Sequence, residues 1–146
     1  ISHDHHAHIV AALKIFNDHK IKGSGPNTFR NLCYDPKNNY RVEKNSCSSH
    51  PHNFYIQLLA ETGIIIPLFF LLIFMFVLFK IFNSLFKKNG KITNDYLILL
   101  HLFLLLFPLS PNGNFFNNWL NIINFLPFGF YLSYYKNYFI SKKYIL

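Results

Sequence analysis

The sequence predicts an all-α integral membrane fragment, with an extracytoplasmic, partly helical loop followed by three transmembrane helices. Three observations lead there. Charged residues are only 14% of the chain, against about 25% in a soluble domain, while hydrophobic residues reach 51% and aromatic ones 19%. The charge is uneven, with 12 of the 20 Asp, Glu, Lys and Arg side chains in residues 1–61. Beyond them, residues 62–79 and 96–135 carry none of these four types. The only methionine is Met75 and the chain opens inside a polar, helix-like segment, so it reads as the C-terminal fragment of a longer protein.

Residues 1–63 form the expected loop. Positions 7–17 have helical spacing, with Ile9, Ala12, Leu13 and Phe16 on one stripe. That helix should stop before Gly23-Ser24-Gly25-Pro26. Residues 27–45 are polar, with Asp35-Pro36 and Asn38-Asn39 as turn signals. Residues 57–63 should lead helically into the first span. Cys33 and Cys47 are the only cysteines, and outside the cytoplasm such a pair tends to oxidise. A bridge would close residues 34–46 and pin Arg41 near His50, contributing about 3 kcal/mol in chain-entropy models. Two separate thiols, or partners outside this fragment, are the alternatives.

A bilayer's hydrocarbon core takes about 20 helical residues to cross. Residues 64–82 fit one span, with Pro67 in the first turn, where a missing N–H is tolerated, and Lys80 able to snorkel at the far end. Residues 83–95 are a loop with Lys87, Lys88, Lys91 and Asp95. The uncharged residues 96–135 suit two spans, roughly 96–109 and 115–135, with a breaker-rich turn at 108–114. Residues 136–146 are a tail with Lys136, Lys142 and Lys143. By the positive-inside rule the 83–95 loop and the tail are cytoplasmic, which puts residues 1–63 on the other side. Trp119, Tyr131, Tyr134 and Tyr135 suit interfacial belts. The net charge of +8 is scattered rather than gathered on a face, so nucleic-acid binding is not expected.

The chain has eight histidines. His3, His5, His6 and His8 crowd the start, but no Cys or carboxylate completes a metal-ligand spacing, and no metal is expected. His101 lies mid-span and reads as a neutral imidazole bonded to a neighbouring helix. Asn117, Asn118, Asn121 and Asn124 are placed to join helices. His50 and His52 precede the first span, beside Arg41, Lys44 and Glu61. An imidazole can take a proton from a hydroxyl at neutral pH, and Arg can clamp a diphosphate, unless these are merely solvated loop residues.

Several of these residues carry a family resemblance. Gly23-Ser24-Gly25-Pro26-Asn27-Thr28-Phe29 resembles the Gly-x-Gly-Pro-x-x-Phe element of the bacterial O-antigen ligase and polymerase family. His52-Asn53-Phe54-Tyr55-Ile56-Gln57-Leu58-Leu59-Ala60-Glu61-Thr62-Gly63 resembles its His-Asn-x-Tyr-Leu-Gln-Leu-x-x-Glu-x-Gly element. Pro111-Asn112-Gly113-Asn114-Phe115-Phe116-Asn117-Asn118-Trp119 is similar to the Phe-rich entry of a late span. The resemblance implies a multi-pass inner-membrane glycosyltransferase of lipopolysaccharide biosynthesis, with a periplasmic loop and neither metal nor cofactor. Its partners would be an undecaprenyl-diphosphate-linked glycan donor and an acceptor, either the lipid A core (ligase) or another glycan (polymerase). It implies His52 as the catalytic base with His50 in reserve, and Arg30 and Arg41 as candidates for binding the diphosphate. Two departures stand out. Ile66 replaces a second Gly, and His3–His8 occupy the start of a first helix where the family often has an Arg. The alternative from another class is a non-enzymatic fragment of a membrane transporter or assembly protein.

Overall fold

A computed structural model describes the backbone of residues 3–85 and 94–143, and the side chains of residues 3–84 and 96–133. Among the described residues six helices follow one another, α1 (His3–Asp18), α2 (Phe29–Tyr34), α3 (Phe54–Thr62), α4 (Ile65–Leu85), α5 (Asn94–Leu105) and α6 (Asn118–Lys143). The described residues are all-helical, without strands.

Helix α1 starts four residues before the expected position and buries a different face. Ala7, His8, Ala11, Ala12 and Ile15 point inward, while Leu13, expected on the buried stripe, is exposed. The reason is the partner. α1 packs against α3, and Ala11, Ala12 and Ala60 are all fully buried where the two meet. Small side chains permit that approach, whereas Leu13 and Phe16 would hold the backbones apart. The inward stripe of Ala12 and Ile15 continues, at helical spacing, into His8 and His5.

Helix α2 lies inside the stretch read as polar loop. Its turn-and-a-half puts Phe29 and Cys33, four residues apart, on one buried face. Cys33 is disulfide-bonded to Cys47, and Tyr34 Oη donates to the Cys47 carbonyl at 2.8 Å. Ser46, fully buried, accepts from Val42 N (3.0 Å) and Glu43 N (3.2 Å) through its hydroxyl. Residues 33–47 are thereby closed onto the α1–α3 core.

Helix α3 does not run on into α4. The chain breaks at Gly63, which has φ +77° and whose N–H bonds to Leu59 O at 3.2 Å. Ile64 N then donates to Lys20 O at 2.9 Å, which turns the chain before α4 begins. α4 has 21 residues and is about 32 Å long at 1.5 Å per residue. Over Ile65–Ser84 it is long and apolar enough to cross a hydrocarbon core of about 30 Å, alone in this among the described residues. Most of its large apolar side chains are exposed, Leu68, Phe69, Leu72, Met75 and Phe79 among them.

Helix α5 has 12 residues, about 18 Å, and ends at Leu105 rather than near residue 109. A turn before Pro108 stops it, because the residue before a proline is pushed out of helical conformation. α6 has 26 residues and continues past the expected span end at 135 to Lys143. Pro127 inside it removes the N–H that would bond the Ile123 carbonyl. Lys87, Lys88 and Lys91, on which the orientation reading leans, lie outside the described residues. His101 Nε2 donates to Asn124 O at 2.7 Å and ties α5 to α6, while Asn117 Oδ1 caps α6 by accepting from Trp119 N (3.0 Å) and Leu120 N (3.3 Å).

Residues 3–63 rest on the helix ends through aromatic packing. Phe54 meets Phe70 edge-on at 5.7 Å and stacks with Phe115 at 5.8 Å, and Tyr55 Oη donates to Leu106 O at 3.0 Å.

Candidate functional site

The two glycine-bearing motifs of the loop are physically clasped. Ser24 N donates to Ala60 O (3.0 Å) and Gly25 N to Glu61 O (2.9 Å), so the 23–25 segment runs along the last turn of α3. Gly23 has φ +70°, and a Cβ there would overlap the Glu61–Thr62 peptide. A Cβ on Gly63 would overlap the Ile21 carbonyl. Both positions therefore require glycine, for backbone conformation and for space.

Glu61, only 1% exposed, is the hub of this clasp. Its Oε1 accepts from Phe29 N at 2.8 Å and its Oε2 from Gln57 Nε2 at 3.0 Å. Gln57 reaches on to the 111–115 turn, donating to Asn114 Oδ1 (2.7 Å) and accepting from Phe115 N (3.0 Å). Burial raises the Glu61 pKa, and the backbone N–H of Phe29 and the Gln57 amide oppose the rise. Gln57, Glu61 and Gly63 thus hold segments of the chain together.

That end is a short, heavily fixed loop. Pro51 is fully buried. His52 stands at φ +58°, in the left-handed region that side-chain-bearing residues seldom adopt. Its carbonyl accepts from Asn112 N at 3.0 Å. Asn53 caps α3, accepting from Ile56 N at 3.1 Å, and donates to Pro108 O at 2.7 Å. A strained residue held through its carbonyl and followed directly by the capping Asn53 is the kind of feature that clusters at functional sites.

Around His52 the fold gathers three more imidazoles. Its ring centroid lies 4.2 Å from that of His50, 5.4 Å from His8 and 5.4 Å from His5. His5 and His8 come from the first turns of α1, one helical turn apart, with their rings 6.4 Å from each other. His50 Nδ1 is 2.8 Å from Ser49 Oγ. Among the described residues no group of three His, Cys, Asp or Glu side chains is arranged to hold a metal ion. Burial lowers the His52 pKa, and the neighbouring His50, His8 and His5 lower it further. Burial also lowers that of His50, with the Asn112 backbone partly offsetting the effect. Both shifts favour the neutral imidazole over the imidazolium.

The two arginines stand apart from this cluster. Arg41 is exposed and turns back on its own loop, donating to Glu43 O (3.3 Å) and Lys44 O (2.8 Å). Arg30 is exposed on α2 and makes no hydrogen bond or ion pair among the described residues. The structure thus brings His50 and His52 together and joins neither Arg to them. It adds His5, His8 and Asn112, none of which stands out as a site residue in the sequence. The i, i+3 spacing of His5 and His8 was a usable signal, because it extends the buried face of α1.

On the other side of the 111–115 turn is a cavity of about 190 Å³, lined by Phe54, Phe70, Leu106, Asn112, Phe115 and Asn121. Asn112 faces both places, lining the cavity with its residue surface and holding His52 with its N–H. No protein-family model, curated protein or solved structure matches the chain.

Proposed function

We propose that this chain is the C-terminal part of a bacterial inner-membrane glycosyltransferase of the O-antigen ligase or polymerase type. It transfers a glycan from undecaprenyl diphosphate to an acceptor hydroxyl, on the lipid A core or on another glycan. Residues 1–63 lie on the periplasmic side, and α4, α5 and α6 belong to three membrane spans. The observation that supports this reading is His52, an imidazole biased to its neutral form and fixed in a strained backbone conformation just before α3, whose Phe54 packs on Phe70 of the long apolar helix α4.

In this reading the acceptor hydroxyl gives its proton to His52 as its oxygen bonds the anomeric carbon of the donor glycan. The bond from that carbon to the diphosphate oxygen breaks in the same step. The leaving lipid diphosphate carries away the electron pair, and the anomeric centre inverts. The family resemblance would give the departing charge to Arg30 or Arg41, both of which are exposed and stand apart from His52 in this fragment.

Complementation tests the proposal. The full-length gene, introduced into a ligase-null and a polymerase-null strain, should restore glycan attachment in the first or the ladder of repeat lengths in the second. Restoration of neither, with the protein present in the membrane, would leave the transferase reading without support.

A further inference from the structure

The turn that follows α1 leaves three exposed side chains in a row, Lys20, Ile21 and Lys22, and Ile21 is 69% exposed. The turn is fixed on several sides. Gly23 N donates to His19 O (2.9 Å) and Ser24 N to Ala60 O (3.0 Å). Lys20 O accepts from Ile64 N at 2.9 Å, and the Ile21 carbonyl lies so close to Gly63 that a Cβ there would overlap it. The tip of the turn is thereby held beside the start of α4.

A single exposed isoleucine needs no explanation, but this one adjoins an apolar strip, since Ile64, Ile65 and Ile66 are all exposed as well. Residues Ile65–Ser84 measure about 30 Å, the thickness of a hydrocarbon core, so Ile65 marks one of its boundaries. The Lys20 carbonyl, one hydrogen bond from Ile64, then lies at the level of the lipid headgroups. α6 begins at the same end, because Phe115 meets Phe70 of α4 edge-on at 5.5 Å. Trp119 in its first turn is 78% exposed, as suits a residue at the membrane interface.

The charges beside Ile21 narrow what covers it. Among the described residues neither Lys20 nor Lys22 has a hydrogen bond or ion pair through its ammonium. Of the carboxylates near the turn, Asp18 accepts from Tyr40 Oη at 2.8 Å, and Glu61 is buried with its oxygens bonded to Phe29 N and Gln57 Nε2. An apolar protein segment over Ile21 would leave both ammoniums without a counter-charge, and a zwitterionic lipid brings a cation of its own. An anionic phospholipid supplies an acyl chain and a net negative headgroup together.

We propose that Lys20-Ile21-Lys22 is a membrane-docking turn that holds an anionic phospholipid, with Ile21 entering the acyl boundary and the two ammoniums on the headgroup phosphate. Lysine stems reach along apolar surface while their heads stay among polar groups, and an ammonium gains a charge-assisted hydrogen bond from a phosphate oxygen. The docking turn rests on α4 lying in the membrane and not on glycan transfer.

Fluorescence of the full-length protein in lipid nanodiscs tests this. Ile21→Trp puts an indole at the tip of the turn, and Leu72→Trp puts one on an exposed position of α4, each read as the difference from wild type. The quenchers are phosphatidylglycerol and phosphatidylcholine brominated on the acyl chain, each diluted into unlabelled phosphatidylcholine. The indole of Ile21→Trp should be quenched, with phosphatidylglycerol favoured at least about fivefold, the share of one lysine near a charged surface. Adding Lys20→Gln and Lys22→Gln should bring that ratio to about one, and high salt should shrink it. The indole of Leu72→Trp should be quenched by both lipids alike. The docking turn is refuted by an unquenched indole at position 21, as cover by another segment of the protein would give. It is equally refuted by quenching without preference, or by a preference that survives loss of both lysines. Quenching at position 72 alone refutes the turn and leaves α4 as a span. Quenching at position 21 alone, with the preference, supports the turn and counts against α4 as a span that faces lipid.

Discussion

Replacing Glu61 should loosen the loop without touching the histidines. Glu61→Ala removes both acceptors of the clasp. Phe29, which is fully buried, then has an N–H with no partner and no access to water, at a cost of about 1–3 kcal/mol. Gln57 Nε2 keeps its bond to Asn114, so its share is smaller. The space left by the side chain adds to the loss, while relief from burying a carboxylate subtracts from it. The net destabilisation is about 2–3 kcal/mol. Glu61→Gln keeps the volume and the acceptor for Phe29 N, but turns an NH₂ toward the NH₂ of Gln57. Gln57 cannot rotate its amide in answer, because its Oε1 is taken by Phe115 N and its Nε2 by Asn114. That variant should lose about 1–2 kcal/mol. Hydrogen exchange over residues 24–29 in the purified full-length protein reads both values. A loss within about 0.5 kcal/mol for Glu61→Ala, the range of a surface substitution, would refute the hub role, as would Glu61→Gln proving worse than Glu61→Ala.

Other consequences follow from the same contacts. Cys33→Ser or Cys47→Ser should cost about 3 kcal/mol in thermal or denaturant unfolding, as expected for a closed loop of this length, and peptide mass spectrometry without reductant should recover the pair linked. Acid should weaken the junction between α1 and the His50–His52 loop. The pKa values of His50 and His52 are lowered in the fold, so their stabilising share is complete above about pH 6.5 and is lost as pH falls through the folded values. Glu61, with its raised pKa, has the opposite sign, so the readout must be local, as faster proteolysis or exchange at the start of α1. Reporter fusions after Lys91 and after Leu146 should both report cytoplasm, and a periplasmic signal at either would overturn the three-span topology.

The helical character and the first long apolar helix were legible from residues 64–82, because an apolar run of that length leaves a helix no polar face to turn to water. Cys33 is bonded to Cys47, the pairing that their being the only two cysteines suggests. The buried face of α1 was misread, because apolar periodicity selects the larger side chains and close helix packing selects the smaller ones. Helix α2 was missed, since six residues are too few to show a period. The break at Gly63 was hidden by the continuous apolar run around it and becomes plain only with the Lys20 carbonyl in view. The site was half legible. His50 and His52 stand in a motif, whereas their neighbours His5 and His8 lie more than forty residues away and reach them only through the packing of α1 on α3.

The central claim, that His52 is the base in glycan transfer, is tested most directly by one rate. In the full-length protein, with a lipid-diphosphate-linked glycan and its acceptor, turnover of His52→Ala is compared with that of wild type at matched membrane abundance. Loss of a general base predicts a fall of roughly 10²–10⁴-fold, with His50→Ala milder. Wild-type turnover in His52→Ala would contradict the claim, and would pass the role to His50 if His50→Ala were inactive.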